Sequence, residues 1–198
     1  VTPEIIRCIE VHLGDAPWGK TRIMPALQLM DPQPIPEKHV FVEKADALQS
    51  SLKMGGFMMD RTHPDFLKAR IMVTLFGGYF GSRLMSNIRE DKGYTYGIGA
   101  GIVNCPGSGV LVVTTEADNQ YIDSIIHEVY LEMDRMCNDL APKEELEMVR
   151  NYMLGDMSRS YEGPFWLSDA WIYIETAELD DDFFVRSLDA IRSVTSEE

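Results

Sequence analysis

The sequence is poor in the residues that usually announce a self-sufficient site. It has three cysteines, Cys8, Cys105 and Cys137, widely spaced and without a C-x-x-C pair. An odd, scattered set speaks against a disulfide scaffold, and the three read as ordinary small apolar residues. Its four histidines are His12, His39, His63 and His127, and none has a second histidine at helical spacing. His127-Glu128 falls in a helix pattern, but Tyr130 and Leu131 stand where a zinc helix needs its second acid or histidine. His127 also lies well round the helix from the apolar stripe, as an exposed residue would, and His63 precedes Pro64 in a turn pattern. This chain by itself is therefore expected to bind no catalytic zinc and no other cofactor. Positive charge is scarce: 18 Lys and Arg against 32 Asp and Glu give a net charge of -14. That excludes a general nucleic-acid binder, which needs a basic surface. No apolar run approaches the ~20 residues of a membrane span, and no signal peptide is visible. The chain opens at Val1 and stops just after a helix pattern, so we expect a piece of a longer polypeptide and read no compartment from it. There is no G-x-S-x-G, and neither Ser82 nor Ser108 has a histidine nearby in sequence.

What remains is a globular composition, 45% hydrophobic and 10% aromatic, compatible with one large domain or two small ones. We expect a single domain over 1–198. Thr2-Pro3-Glu4 is a helix start with a hydroxyl cap, and Ile5, Ile6, Ile9 and Leu13 repeat on one face until Gly14-Asp15. The proline-rich stretch 15–38 reads as an extended connector. Val40 to Glu43 and Ser51 to Met59 read as strands, the second crossing Gly55-Gly56 with a bulge or a close backbone approach. Thr62-His63-Pro64-Asp65 feeds a buried helix from about Phe66 to Phe76.

The central stretch follows. Gly77-Gly78 breaks the helix, a short helix runs from Ser82 to about Glu90, the chain turns at Lys92-Gly93, and a strand leaves from Tyr94 to Asn104. A turn over Cys105 to Gly109 returns it as Val110 to Thr115, an antiparallel hairpin. Asp118 caps a long helix to about Met136, with a stripe of Ile122, Ile125, Ile126, Val129, Met133 and Met136. Three more helices follow, opened by Pro142, Gly163-Pro164 and Asp180. The fold class is α+β: a two-layer sandwich, an antiparallel-rich sheet with helices packed on one face.

Two residues in the central stretch are placed for chemistry. Arg89 closes the short helix and Tyr96 lies on the next strand, so both side chains can serve one site. A plain structural reading is also open, a helix-terminal arginine on the helix dipole and a strand aromatic. A fixed guanidinium beside a phenol can nevertheless hold a peptide carbonyl and stabilise a developing oxyanion. Gly77-Gly78-x-x-Gly81 is a poor phosphate loop, since it follows a helix and lacks a Lys-Ser/Thr. It reads instead as a place where two elements pack closely.

The runs Asp46 to Leu52, Gly77 to Leu84 and Ile88 to Tyr96 resemble the non-catalytic half of the insulinase/pitrilysin zinc peptidases, the family of mitochondrial processing peptidase. The opening helix, Thr114 to Arg135 and Pro142 to Asp156 fit as well, so the resemblance spans about Thr2 to Asp156. It implies a processing-peptidase-like metallohydrolase domain that lacks zinc ligands. Zinc would sit in a homologous partner domain or subunit carrying an H-x-x-E-H motif, with a peptide substrate held in extended form between the halves. By position, Arg89 would hold the peptide carbonyl and Tyr96 would donate to the tetrahedral intermediate, with Ser82 a further substrate contact. GGYFGS is too short for the glycine-rich substrate loop of a processing-peptidase α-subunit. The chain is thus expected to be the substrate-binding half of a zinc endopeptidase and inactive alone. The rival readings are a catalytically inactive scaffold subunit of a larger assembly and an independent small-ligand binder.

Overall fold

The computed structural model describes residues 2–14, 38–105, 107–159 and 161–198. It has two compact units, Val1–Gln33 and Pro34–Glu198. In the first, helix α1 (Pro3–Ile9) starts as its cap predicts: Thr2 Oγ1 accepts from the Ile5 N–H at 3.5 Å and Pro3 takes a first-turn position. It continues in wider π-helical turns over Glu10–Gly14. The proline-rich connector expected over 15–38 lies, apart from Lys38, outside the described residues.

The second unit is an antiparallel sheet with helices against it. Strands β1 (Gln49–Met58), β2 (Thr95–Cys105) and β3 (Ser108–Asp118) lie in the order β1-β3-β2. The β2–β3 hairpin is tighter than expected, with Cys105 opposite Ser108 and Gly107 at φ 75° in the turn. That left-handed backbone suits glycine. Val40 to Glu43 is not a strand, and Val40, Phe41 and Val42 are exposed. Strand formers without a neighbouring strand gain no ladder, so propensity alone does not order them. At Gly55-Gly56 the pairing with β3 runs on without a shift, Gly55 opposite Val112 and Gly56 opposite Leu111. A side chain at Gly55 would come 3.0 Å from the Leu111 carbonyl oxygen, so close approach is what the glycine serves there.

One face of the sheet builds the main core. Leu52, Met54, Ile98, Val113 and Ala117 meet Phe76, Leu84, Met85, Ile88, Ile125 and Val129. These helical residues come from three places. Helix α2 (Phe66–Val73) runs on in π-helical turns through Thr74–Gly78. A short helix covers Met85–Asp91. Helix α3 (Ile122–Asn138) follows a 3-10 turn that Asp118 caps by accepting from the Gln120 N–H at 3.0 Å. The short helix is too brief to hold itself. Leu84 and Ile88 are fully buried beneath it, and each such side chain contributes roughly 1.5–3 kcal/mol. Helices α4 (Lys143–Arg159), α5 (Pro164–Thr176) and α6 (Phe183–Ser193) complete the chain. Leu146, Val149 and Met153 of α4 join Ile71, Leu75, Ile191 and Val194 in a second core.

Gly77 lets α2 reach the sheet. A Cβ there would lie 2.6 Å from the Ala100 Cβ and 2.7 Å from its nitrogen, far inside contact distance. The α+β class and the layering therefore follow the sequence reading. Among the described residues no helix is long and apolar enough to cross a membrane.

Candidate functional site

The short helix ends where the sequence places its turn. Gly93 has φ 64°, its N–H donates to the Arg89 carbonyl at 3.1 Å, and the Tyr94 N–H donates to the Ile88 carbonyl at 3.0 Å. This left-handed terminator turns the chain straight into β2. Arg89 thus sits in the last helical turn, beside the start of the strand that carries Tyr96.

The start of β2 is irregular. Thr95 pairs with Ala117, but the next pair is Ile98 with Thr115, so Tyr96 and Gly97 together oppose Glu116. That is a β-bulge, which re-aims a side chain and frees backbone groups from the ladder. The Tyr96 carbonyl accepts from Arg89 Nε at 2.8 Å, and the Tyr96 side chain stands 93% exposed. Buried threonines lie under the bulge. The Thr95 hydroxyl donates to the Glu116 carbonyl at 2.7 Å and accepts from the Gly97 N–H at 3.1 Å. The Thr115 hydroxyl lies 2.9 Å from both the Gly97 carbonyl and Thr95 Oγ1.

The guanidinium of Arg89 is held on several sides. Its Cζ lies 4.6 Å from the Phe80 ring centroid and 5.9 Å from that of Tyr96. A cation stacked on an aromatic face is attracted by the ring's electrons. Nη1 approaches Glu90 Oε1 at 3.4 Å. Nη2 has no partner among the described residues, so one donor edge of the fork is free. Phe80 is itself 61% exposed. The site is thus an exposed platform of one cation and two aromatic rings.

Ser82 is placed differently. It is 1% exposed, and its Oγ has no hydrogen-bond partner among the described residues. Its N–H donates to the Tyr79 carbonyl and its carbonyl accepts from the Ser86 N–H. It starts the short helix, and its hydroxyl is too buried to touch a ligand on the Arg89–Tyr96 platform.

The short helix is braced against α3 by charge. Lys92 Nζ lies 3.0 Å from Glu128 Oε1. The Asn87 side chain donates to Glu128 at 3.1 Å and to Glu132 at 2.7 Å. Glu132 is 4% exposed and also accepts from Arg135 at 2.6 Å. Burial pushes the Glu128 carboxyl up, but the bonds from Lys92 and Asn87 outweigh it and hold the group below its ordinary range. Arg83 binds Glu145 of α4 through two parallel bonds of 2.8 Å. These groups line a cleft of about 600 Å³. Most of its charges are paired across the helices, so it reads as the bond between them.

Zinc does not fit the described residues. No group of three or more His, Cys, Asp and Glu side chains among them is placed to hold a metal ion. His127 is exposed on α3, and His63 Nδ1 accepts from the Asp65 N–H at 3.1 Å as a turn residue.

The sequence pointed to Arg89 and Tyr96, and the structure brings them together. It did not point to Phe80, to the two threonines, or to the Glu128–Glu132 brace. The brace had one visible signal: Glu132 falls in register with Ile125, Val129 and Met136, on the face that should be apolar.

A sequence model of the peptidase M16 inactive domain matches residues 1–153. No match is found among curated proteins. Among solved structures the chain is similar to a peptidase M16 inactive domain from Pseudomonas fluorescens (21% identity, TM-score 0.69, 75% of this chain and 36% of that one). It is similar to a protease from Helicobacter pylori over its whole length (12% identity, TM-score 0.77), covering 48% of that chain. The inactive peptidase domain of a candidate zinc protease from Bordetella parapertussis also matches (16% identity, TM-score 0.64, 80% of this chain and 85% of that one). The chain thus spans under half the length of the Pseudomonas and Helicobacter structures.

Proposed function

The chain belongs to the peptidase M16 family as its inactive domain, and from that premise we propose that it is the zinc-free, substrate-holding half of a two-part zinc endopeptidase. The observation that carries the reading is the joined pair of Arg89 and Tyr96 on an exposed platform. The free Nη2 of Arg89 donates to a backbone carbonyl of a peptide lying in extended form. The Tyr96 hydroxyl donates to the oxygen that becomes negative when that carbonyl is attacked. A preorganised donor aimed at developing charge is worth roughly 10²–10³ in turnover. The metal belongs to a homologous partner half, because this chain's described residues offer no ligand set. A donor that acts across a gap must project from its own domain, and the exposure of Tyr96 is what that role requires.

The test is zinc content and peptidase activity of this chain, alone and combined with its H-x-x-E-H half. We expect no stoichiometric zinc and no activity alone, and activity on combination. Zinc and activity in the isolated chain would overturn the reading. Silence even with a metal-loaded partner would favour the inactive scaffold instead.

A further inference from the structure

We propose that Thr95 and Thr115 are positioning residues for the Arg89–Tyr96 pair, because their hydroxyls stitch the bulge that presents Tyr96. The inference rests on the substrate-holding reading above. It begins from a problem in the backbone. A bulge takes Tyr96 and Gly97 out of the ladder, and their N–H and C=O groups need other partners. Most of the bonds around the bulge involve a threonine hydroxyl. Gly97 N–H goes to Thr95 Oγ1, and the Gly97 carbonyl lies 2.9 Å from Thr115 Oγ1. Thr95 in turn donates across to the Glu116 carbonyl at 2.7 Å, on the residue the bulge faces. Arg89 Nε adds its bond to the Tyr96 carbonyl.

Each hydroxyl has one proton and two acceptors within reach. Thr95 can donate to the Glu116 carbonyl at 2.7 Å or to the Gly97 carbonyl at 3.1 Å, and the shorter bond goes to Glu116 while its oxygen accepts from the Gly97 N–H. Thr115 has one proton for either Thr95 or the Gly97 carbonyl. Both threonines are buried, where water cannot substitute for a lost partner. The stitch therefore fixes the height and direction of Tyr96. Through the Tyr96 carbonyl it also fixes where the Arg89 fork points. Valine has the same shape without the hydroxyl, so it removes the stitch and keeps the packing. Both hydroxyls are buried, so their loss should act through the positions of Tyr96 and of the Arg89 fork rather than through a lost contact with the peptide.

The experiment uses the two-half enzyme and a peptide substrate, with Tyr96→Phe as reference. Thr115→Val and Thr95→Val are expected to lower kcat by roughly tenfold or more, the scale of a small misplacement of catalytic groups, with kcat/KM falling at least as far. Thr115→Ser, which restores the hydroxyl, should recover most of the lost kcat. Wild-type kcat in both valine variants, with Tyr96→Phe impaired, overturns the inference and leaves the functional reading standing. A silent Tyr96→Phe overturns that reading, and the threonines' role in turnover falls with it. Should the valine variants not fold, amide exchange in the unsubstituted enzyme decides. Slow exchange at Gly97 supports the stitch, and exchange at the rate of an unstructured glycine removes it.

Discussion

Arg89 Nε and the carbonyl oxygen of Tyr96 stand 2.8 Å apart, so the arginine is anchored on the backbone of the very residue whose ring it accompanies. The bond uses no atom of the tyrosine side chain. The ring can be altered without releasing the guanidinium, and the two contributions can be measured separately.

Tyr96→Phe should therefore be a clean change. The hydroxyl is lost, while the Nε bond and the bulge remain. In the two-half enzyme kcat should fall by roughly 10²-fold, the cost of one oxyanion donor, with KM nearly unchanged. Steady-state kinetics on one peptide decides it, and unchanged kcat would remove the proposed role.

Arg89→Lys should be far from conservative. An ammonium has no Nε to give the Tyr96 carbonyl and no planar fork to lie on Phe80. We expect kcat/KM to fall by tenfold or more, with about 1.4 kcal/mol for each factor of ten. The melting temperature should change little, since the side chain lies at the surface and makes no core contact.

Gly77→Ala tests the fold instead of the site. The added methyl would meet Ala100 at 2.6 Å, so α2 must lift from β2 or the strand must shift. Overpacking of this kind costs roughly 1–3 kcal/mol. Urea unfolding should show a lower midpoint, and an unchanged midpoint would mean that the close approach is easily relieved.

Acid should loosen the short helix through Glu128. Its carboxyl is held below the ordinary value of 4.5 by Lys92 and Asn87. A depressed carboxylate contributes stability above its unfolded value and loses it as pH falls through the folded one. Unfolding midpoints compared between wild type and Glu128→Gln should differ most near neutrality. They should converge as pH falls from the ordinary value through the lowered folded one. No difference at any pH would show that Glu128 matters only as a hydrogen-bond acceptor, a role glutamine keeps.

Much of this was legible in the residues. Helical periodicity gave α3 its inward stripe, and the apolar run of α2 marked it as buried. The Pro-Gly turn marked the hairpin, and the block from Gly77 to Tyr96 carried the family. Failures came where the answer depends on a distant partner. Val40 to Phe41 to Val42 has strand chemistry and no strand to join among the described residues. At Gly55-Gly56 the close-approach alternative holds, and the bulge belongs to Tyr96-Gly97, because it is a mismatch between two strands that neither strand alone records. Ser82 is polar and sits in the matching motif. Its burial comes from the packing of the short helix, which no local pattern encodes.

The same bulge bears on how the domain behaves by itself. β2 forms one border of the sheet, with a row of main-chain groups facing away from β3. A straight border strand is a template on which another chain can add, the first step toward aggregation. Two residues set against one break the regular spacing just where β2 begins, and they twist that end away from flatness. An incoming strand cannot keep step past Tyr96-Gly97. The irregularity that carries the exposed Tyr96 thus also shortens the stretch of β2 open to self-association.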